Sequence, residues 1–408
     1  MTPPLWARAA LLARLREARE WDLAVVGGGA TGLGVALDAA ARGLAVVLLE
    51  RGDFAQGTSS RATKLVHGGV RYLAQGDVPL VREALHERAT LLANAPHVAQ
   101  PLAFIVPGYR LWELPFYGAG LKAYDLLAGS RGLGPTELLG ARRTCELLPG
   151  VRRQGLLGAI RYWDGQFDDA RLAVLLARTA VSRGALVLNH CAVEGLLREQ
   201  GRVCGLRARD AETGEVFEVR ARCVVNAAGV WVDAVRGLDR DRDAPPPPMV
   251  APSQGVHLVV DRGFLPGLHA LLVPKTHDGR VLFAVPWLGK TVLGTTDTPR
   301  HDLDPEPSPF PDEVGFILSE SARYLARAPT RVDVRSVWVG LRPLVKPADD
   351  DGGDTKALSR EHVVVVARSG LVTVTGGKWT TYRAMAEDVL ERCMARGLLP
   401  RRPPGITA

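Results

Sequence analysis

Three glycines between two apolar segments are the first residues whose spacing suggests a chemistry. Residues 22–50 contain an apolar strand, the turn Gly27-x-Gly29-x-x-Gly32, a helix of small residues and a second apolar strand. In such a βαβ unit the first glycine permits a tight turn, the second lets the backbone approach a pyrophosphate, and the third lets the helix pack closely on the strand. The helix N-terminus presents unpaired N–H groups to the anion. The pattern therefore predicts a dinucleotide site.

A carboxylate closes this unit. Glu50 ends the second strand, where it can accept a hydrogen bond from a ribose hydroxyl. Negative charge at this position would repel a 2′-phosphate, which disfavours an NADP-type ligand. The acid and the two flanking strands make a glycine-rich turn without a ligand the weaker interpretation.

A second segment has the composition of a binding loop. Residues 57–73, GTSSRATKLVHGGVRYL, are polar and glycine-rich where a buried strand or a periodic helix would be expected. Hydroxyl groups and backbone N–H groups in such a segment can surround the polar edge of a ligand without adding bulk. Alone, the Thr-Ser-Ser run would indicate an ordinary polar turn, but the neighbouring His67-Gly68-Gly69 favours a site.

Composition bounds the remaining function classes. With 408 residues, 47% of them hydrophobic, the chain can form two domains with a large core. Its five cysteines form no CxxC pair and no cluster with histidine, so we expect neither disulfides nor a metal site, and a reducing cytoplasmic setting fits. The net charge of +7 favours anionic partners, although an arginine-rich coding bias explains it equally well. There is no nucleic-acid-binding motif, and membrane contact would have to be peripheral because no apolar run could cross a bilayer.

Helices and sheets must position these segments. Short β-rich runs after Pro245–Pro248 predict an antiparallel sheet, and we place a domain crossing at this proline run. Residues 201–225 alternate like an antiparallel pair that leads into the loop at Ala227-Ala228-Gly229. Apolar spacing and capping residues predict helices over residues 5–20, 77–96, 168–182 and 379–396.

Residues 104–128 are rich in aromatic side chains, with Arg110 and Lys122 interleaved. A core helix is the commoner meaning of such a stretch. An exposed, membrane-facing patch is the alternative.

Five segments together resemble the FAD-dependent glycerol-3-phosphate dehydrogenases of the aerobic or respiratory type. They are GGGATGLG, TSSRATKLVHGGVRYL, WVGLRPLV, LSREH and GGKWTTYR, and the resemblance covers nearly the whole chain. Many flavoproteins share the glycine turn, but the TSS…KxxHGGxRY run combined with GxRPL and GGKxTTYR is specific to that family. Members of the usual bacterial type carry a further helical domain after the last segment, whereas this sequence stops at Ala408. A shortened natural form and a truncated chain both remain open.

The resemblance implies overlapping sets of site residues. Arg342, His257 and Lys378 would be catalytic, Arg342 by stabilising a developing alkoxide and His257 as the base, since an imidazole titrating near neutrality can take the proton. A hydrogen-bonded core histidine is the alternative for His257. The substrate would be held by Arg71, Tyr72, Arg342, Arg360 and Lys378. The cofactor FAD would be held by Gly27, Gly29, Ala30, Thr31, Gly32, Glu50, Arg51, Thr58, Ser59, Ser60, Lys64, His67, Gly68, Gly69, Ala228, Gly229, Gly376, Gly377 and Lys378.

The fold implied by the resemblance is α/β. A Rossmann-like FAD-binding domain would be combined with a second, mainly antiparallel β substrate domain laid over the flavin, as in flavoproteins similar to D-amino-acid oxidase. We place the FAD-binding domain in residues 1–90, 159–244 and 335–397, the substrate domain in 91–158 and 245–334, and a tail in 398–408.

The reaction implied is oxidation of sn-glycerol 3-phosphate to dihydroxyacetone phosphate, with hydride transfer to FAD. Electrons would then pass to a quinone, or to oxygen in an oxidase. The rivals are an amine or amino-acid oxidase of the same superfold and a catalytically silent flavin scaffold. Several cations suit a phosphate, whereas a carboxylate substrate needs only one arginine. An anionic membrane surface, a location on the inner face of the cell membrane and a homodimer are further expectations left open.

Overall fold

The computed structural model describes residues 6–74, 76–239, 247–346 and 361–407, except for the side chains of Arg71 and Ala74. In these ranges the α-helices are α1 (Arg8–Arg16), α2 (Ala30–Ala41), α3 (Val70–Ala74), α4 (Val78–Asn94), α5 (Glu113–Ala128), α6 (Ala141–Leu147), α7 (Asp169–Ser182), α8 (Val232–Arg236), α9 (Pro311–Tyr324) and α10 (Tyr382–Ala395). The strands are β1 (Glu20–Val26), β2 (Val46–Leu49), β3 (Leu65–Val66), β4 (Ala99–Gly108), β5 (Glu137–Gly140), β6 (Gly158–Phe167), β7 (Leu186–Leu188), β8 (Cys191–Glu199), β9 (Arg202–Asp210), β10 (Val216–Asn226), β11 (Val250–Asp261), β12 (Ala270–Val273), β13 (Leu282–Trp287), β14 (Lys290–Gly294), β15 (Thr298–Pro299), β16 (Val334–Val345), β17 (His362–Val366) and β18 (Val372–Gly376).

Two sheets organise the described residues. The first has the order β17-β18-β10-β1-β2-β7, and β8 and β9 extend β10 as an antiparallel meander. Its pairs β1–β10, β1–β2, β2–β7 and β10–β18 are parallel. The second sheet has the order β15-β11-β14-β13-β12-β4-β6-β3, with β16 on β11 and β5 on β6. Apart from the parallel pair β4–β12, it is antiparallel. The predicted combination of a Rossmann-like sheet with a mainly antiparallel sheet is confirmed.

Side chains of β1 alternate between two cores, as successive residues of a strand must. Leu23 and Val25 pack into a cluster with residues of α2, α7 and α10. Ala24 and Val26 pack into a second cluster with α1 and the β8–β10 meander. The first sheet is therefore covered on both faces. The glycine turn begins at the carboxyl end of β1, at the edge of this packed sheet.

Two of the four predicted helices begin at their expected capping residues, whereas α1 begins at Arg8 and α10 at Tyr382 without a side-chain cap. Asp77 accepts a hydrogen bond from Leu80 N–H at the start of α4, and Asp168 accepts one from Arg171 N–H at the start of α7. Among the described residues, no helix combines the length and apolar character needed to cross a bilayer.

The interpretation of residues 104–128 as a core helix is wrong in part. Residues 104–108 belong to β4, whose continuous apolar run is buried between β12 and β6. The helix begins only at Glu113 and buries Leu121 and Tyr124, while Phe116 is 64% exposed and Leu126 is 83% exposed.

The predicted domain boundaries differ from sheet membership at two long strands. Residues of β6 and β16 fall in segments assigned to the FAD-binding domain, yet both strands pair within the second sheet. Strand β6 is buried along most of its length and the burial of β16 is irregular, so neither has a local pattern that assigns it to one sheet. The proline run at 245–248 lies partly outside the described residues. The division into two domains stays a prediction.

Candidate active site

The glycine turn after β1 has the geometry that its spacing predicts. Gly27 adopts φ +108°, and a Cβ at this position would lie 2.7 Å from the carbonyl oxygen of Ala227. A Cβ on Gly32 would lie 1.9 Å from the Gly27 carbonyl oxygen. Only glycine fits at both positions, because the turn is pressed between α2 and the loop after β10. The backbone at Ala228 therefore lies against the glycine turn, as expected for two parts of one site.

Glu50 braces the same turn. Its Oε2 accepts a hydrogen bond of 2.6 Å from Gly28 N–H, and its Oε1 accepts one of 2.7 Å from Gly52 N–H. A carboxylate has about four acceptor sites, so both oxygens keep capacity for a ribose hydroxyl. The neighbouring Arg51 is exposed, and its guanidinium carbon lies 5.2 Å from the centre of the Trp231 ring.

Residues 57–73, which we call the central segment, contact every other part of the site. Ser59 Oγ accepts from Ala30 N–H at 3.0 Å, at the first turn of α2. Thr58 Oγ1 donates to the Leu341 carbonyl on β16. Further along, Trp379 Nε1 donates to the Ser59 carbonyl at 2.7 Å. The central segment thereby links the glycine turn to the WVGLRPLV and GGKWTTYR segments.

Lys64 holds the central segment in place. It has φ +64°, and its Nζ donates to Asp169 Oδ1 at 2.6 Å and to the Ser60 carbonyl at 2.7 Å. Burial raises the pKa of Asp169, and the Lys64 ammonium opposes this shift. The ammonium of Lys64 is thus engaged with α7 and with its own segment.

Lys378 and Tyr72 approach each other over Gly69. Lys378 Nζ lies 3.7 Å from the centre of the Tyr72 ring. A Cβ on Gly69 would lie 2.4 Å from Tyr72 Cδ2 and 3.6 Å from Lys378 Nζ. Gly376 and Gly377 both have positive φ and turn the chain from β18 into the residues before α10. The structure thus brings the central segment and the GGKWTTYR segment together at Gly69.

Two predicted cations cannot be placed. The Arg71 side chain and all of Arg360 lie outside the described residues, so their roles stay predictions.

Arg342 lies on β16 with its guanidinium directed at the loop after β14. Its Nη2 donates to Thr295 Oγ1 and to the Thr296 carbonyl, both at 3.0 Å. Its Nη1 lies 3.6 Å from Asp297 Oδ1. These acceptors fix the plane of the guanidinium, and its side chain remains 21% exposed. A partly exposed, fixed guanidinium suits recognition of an anion.

A buried carboxylate holds that loop against β11. Glu313, at the start of α9, accepts from Gln254 Nε2 at 2.6 Å, from Thr296 Oγ1 at 2.9 Å and from Thr298 Oγ1 at 2.7 Å. The carbonyls of Gln254 and Thr296 in turn accept from Arg342. Glu313 therefore fixes the groups that orient Arg342.

His257 is a buried, neutral imidazole. Its Nε2 lies 2.8 Å from Thr63 Oγ1, and its ring stacks on Trp338 at 5.3 Å between centres. Burial lowers the pKa of His257 to about 3, with smaller contributions from the positive charges of Arg342 and Lys64. The expectation that His257 titrates near neutrality is wrong for the protein without substrate, because burial disfavours the protonated imidazole. The sequence alone does not reveal this burial.

Two polar atoms of the stacked His257 and Trp338 rings have no protein partner among the described residues. They are His257 Nδ1 and Trp338 Nε1, both fully buried. Buried polar atoms are normally hydrogen-bonded, so these two atoms are exceptions that a bound water molecule or polar group could satisfy. The glycine turn, whose backbone carries no side chains at Gly27 and Gly32, fits a dinucleotide cofactor, and the polar groups near His257 fit a polar substrate.

The sequence analysis missed Trp338 and Thr63 as site residues. On β16, Trp338, Gly340 and Arg342 share one face because side chains alternate along a strand. Counting back from Arg342 by twos would have indicated Trp338. No signal in a single sequence pairs Thr63 with His257.

Known proteins are similar to this chain over nearly its whole length. The profile of the family described as FAD dependent oxidoreductase matches residues 22–383. Human mitochondrial glycerol-3-phosphate dehydrogenase is 47% identical over 403 residues, which are 95% of this chain and 54% of the human protein. The structure of the Bacillus halodurans glycerol-3-phosphate dehydrogenase complexed with FAD is 36% identical with a TM-score of 0.78, covering 98% of this chain and 69% of that one.

A more distant structure shares the fold. Glycine oxidase from Geobacillus kaustophilus is 22% identical with a TM-score of 0.67 and covers 92% of this chain and 95% of its own. This chain spans about half the length of the mammalian relatives it matches, at 54–55% of each.

Proposed function

The chain belongs to the FAD-dependent glycerol-3-phosphate dehydrogenases within the FAD dependent oxidoreductase family, and from this premise we propose that it oxidises sn-glycerol 3-phosphate to dihydroxyacetone phosphate. The observation that carries the proposal is the convergence at the central segment. That segment contacts the glycine turn through Ser59, β16 through Thr58 and β11 through Thr63. These contacts bring motif segments that are far apart in the sequence close together, which supports the proposal.

The cofactor is proposed to lie along the first sheet's carboxyl edge. The backbone at Gly27, Gly29 and Gly32 and the N-terminus of α2 would hold the pyrophosphate of FAD, and Glu50 would accept from its ribose. Bound FAD would supply the acceptor for the hydride from C2 of the substrate. The remaining proposed cofactor contacts are the residues implied by the resemblance.

The substrate phosphate is proposed to bind the cations of the second sheet and the GGK segment. Arg342 would contribute a positive charge held in a fixed position, and Lys378 would add a second charge, with its Nζ 3.7 Å from the centre of the Tyr72 ring. Arg71 and Arg360 complete the proposed set. Arg342 would also stabilise negative charge developing on the C2 oxygen, because its guanidinium is already held in place by the loop at Thr295 and Thr296.

His257 remains the proposed proton acceptor for the C2 hydroxyl. A neutral imidazole has a lone pair for that proton, and burial keeps His257 neutral in the substrate-free protein. A phosphate dianion nearby would offset the charges of Arg342 and Lys64 and so raise the pKa of His257 when the substrate binds. Proton transfer would then follow substrate binding.

Electrons are proposed to leave to a quinone at a membrane surface, with oxygen as the alternative acceptor. The start of α5 offers an exposed apolar patch formed by Leu111, Trp112 and Phe116, which are 84%, 50% and 64% exposed. Arg110 and Lys122 are exposed close by in the sequence. Apolar and basic side chains in one helical region suit anionic lipid.

Flotation with anionic vesicles tests this membrane contact. Binding should weaken as the salt concentration rises, and a protein that stays unbound at low salt contradicts the proposal.

Anaerobic mixing tests the reaction itself. The purified protein should be yellow, and adding sn-glycerol 3-phosphate should rapidly bleach the oxidised flavin. Bleaching by an amino acid instead would support the oxidase alternative, and no bleaching by either would support the silent scaffold. A colourless protein that takes up NAD but no flavin would contradict the cofactor as well.

A further inference from the structure

A buried chain of hydrogen bonds leads from the His67-Gly68-Gly69 loop into the interior. Gly68 N–H donates to Tyr124 Oη at 2.7 Å, and the Tyr124 hydroxyl donates to Asp164 Oδ2 at 2.9 Å. Arg88 donates to Asp164 Oδ1 at 2.8 Å. The three side chains come from α5, β6 and α4, and each is at most 2% exposed.

The charges of Arg88 and Asp164 can be buried because the two side chains form an ion pair with each other. Arg88 also donates to the carbonyls of Trp163 and Arg131, so its guanidinium has several partners. Burial raises the pKa of Asp164, and Arg88 opposes that shift. Removing any single member would leave a buried polar group without its partner, which is the costly case.

The direction of the Tyr124 hydroxyl is fixed by its two neighbours. Burial raises its pKa well above the ordinary value, so the phenol keeps its proton at neutral pH. It donates that proton to Asp164, which leaves the oxygen lone pairs for Gly68 N–H. One hydroxyl thus connects a buried ion pair to one backbone amide of the loop.

The loop is pressed tightly against this hydroxyl. A Cβ on Gly68 would lie 2.5 Å from Tyr124 Oη and 2.6 Å from Leu85 Cδ2. The next residue, Gly69, supports the approach of Tyr72 to Lys378. A small shift of Gly68 would therefore move groups on the side of the loop that faces the site.

We propose that Tyr124 is a positioning residue: its hydroxyl, fixed by the Asp164–Arg88 pair, sets the backbone of His67-Gly68-Gly69 and hence the cofactor and substrate contacts of that loop. The inference rests on the proposed function, because that function places the loop beside the flavin. Tyr124 acts from behind the loop and through Gly68.

Replacing Tyr124 by phenylalanine removes one oxygen atom and keeps the ring. Tyr162→Phe is the matched control, since Tyr162 is also buried, stacks on Phe104 and lies beside Tyr124, but is not part of the chain of hydrogen bonds. We expect Tyr124→Phe to shift the flavin absorption spectrum and to weaken FAD binding or slow flavin reduction by about tenfold, as for an unpaired buried amide. Tyr162→Phe should leave these flavin properties unchanged, even if both variants melt at lower temperature.

Equal spectra, FAD affinities and reduction rates in the two variants would overturn the proposal. If Tyr124→Phe does not fold, Arg88→Lys is the second test, since it keeps a positive charge beside Asp164 but loses the planar donors that fix the carboxylate. Flavin properties identical to Tyr162→Phe would again overturn it. The spectrum and FAD affinity need no substrate, so they decide on Tyr124 even if glycerol 3-phosphate fails to reduce the wild-type protein and the proposed function falls.

Discussion

Lys378 Nζ lies 3.7 Å from the centre of the Tyr72 ring, so the start of the last helical region and α3 meet through a cation–π contact. Such contacts contribute about 0.5–2 kcal/mol, depending on solvent exposure. The ring also holds the ammonium close to Gly69. The position of a proposed phosphate ligand therefore depends on an aromatic side chain.

Tyr72→Leu tests this contact, with Tyr72→Phe as its matched control. Losing the ring should raise the Michaelis constant for glycerol 3-phosphate by roughly 2- to 30-fold, which corresponds to the range above. Tyr72→Phe keeps the ring and should stay within about threefold of the wild type. Steady-state assays with a dye acceptor measure both. If the two variants were impaired equally, the hydroxyl rather than the ring would be responsible.

Arg342→Lys keeps a positive charge but loses the planar pair of donors. If Arg342 acts in the transition state, flavin reduction should slow by about 100-fold or more, the scale of losing one positioned donor, with FAD content unchanged. Stopped-flow reduction under anaerobic conditions measures the rate. Arg335→Lys on the same strand is the control, because Arg335 is 55% exposed and pairs with Asp261. A rise in the Michaelis constant alone would assign Arg342 to uniform phosphate binding instead.

Glu313→Gln should affect the reaction through Arg342. The amide would place a donor among the groups that now donate to the carboxylate, and so release the loop that holds the guanidinium. We expect slower flavin reduction, and we expect the effect to be much smaller when Arg342 is already lysine. A double-mutant cycle on the reduction rate measures this coupling. Fully additive effects would mean that Glu313 contributes only to stability.

His257 should remain neutral across the physiological range in the substrate-free protein. Its pKa is lowered to about 3, so between about pH 6.5 and 3 the unfolded chain binds a proton that the folded protein does not. The resulting stability is complete above pH 6.5 and is lost as the pH falls toward 3. NMR titration should show no change in the imidazole signal between pH 8 and 5, in contrast to the denatured protein.

Removing a neighbouring positive charge should change the pKa of His257 in the opposite direction. Arg342→Met should raise the pKa of His257, since Arg342 and Lys64 are the charges that lower it beyond burial. A midpoint near 6.5 in the wild type would instead show an imidazole open to water.

Gly32→Ala should abolish cofactor binding. The added methyl would lie 1.9 Å from the Gly27 carbonyl and would push the turn out of its conformation. Gly120→Ala is the control, because Gly120 also lies in a helix but a Cβ there meets nothing within 4 Å. That change should keep FAD and gain up to about 1 kcal/mol of stability from helix propensity. Flavin absorbance per protein measures the outcome, and a yellow Gly32→Ala variant would contradict the expectation.

Features that depend on residues close together in the sequence were predicted better than contacts between distant residues. The glycine turn, the acid at Glu50 and the caps Asp77 and Asp168 were predictable because each depends on residues a few positions apart. The family resemblance is confirmed by relatives of 41–47% identity. In contrast, the contact of Thr63 with His257 joins residues nearly two hundred positions apart, and one sequence carries no record of it.

Other features that the sequence analysis did not predict depend on burial or on which elements pack together. The pKa of His257 depends on the sheet that covers it, and the role of Tyr124 depends on three elements meeting at one hydroxyl. The end of β4 could not be separated from α5 by composition, because both segments are mainly apolar. Strands β6 and β16 have no regular alternation that would assign them to one sheet.

The order of strands in the first sheet has a consequence for synthesis on the ribosome. Strand β9 already pairs with the first part of β10, but the edge at Val225 and Asn226 pairs with β18, which begins only at Val372. At roughly 5–20 residues per second, that edge waits on the order of ten seconds for its partner. An uncovered edge of a parallel sheet invites pairing with another chain. The emerging polypeptide is therefore expected to depend on chaperones during this interval, and slower translation should lower the yield of folded protein.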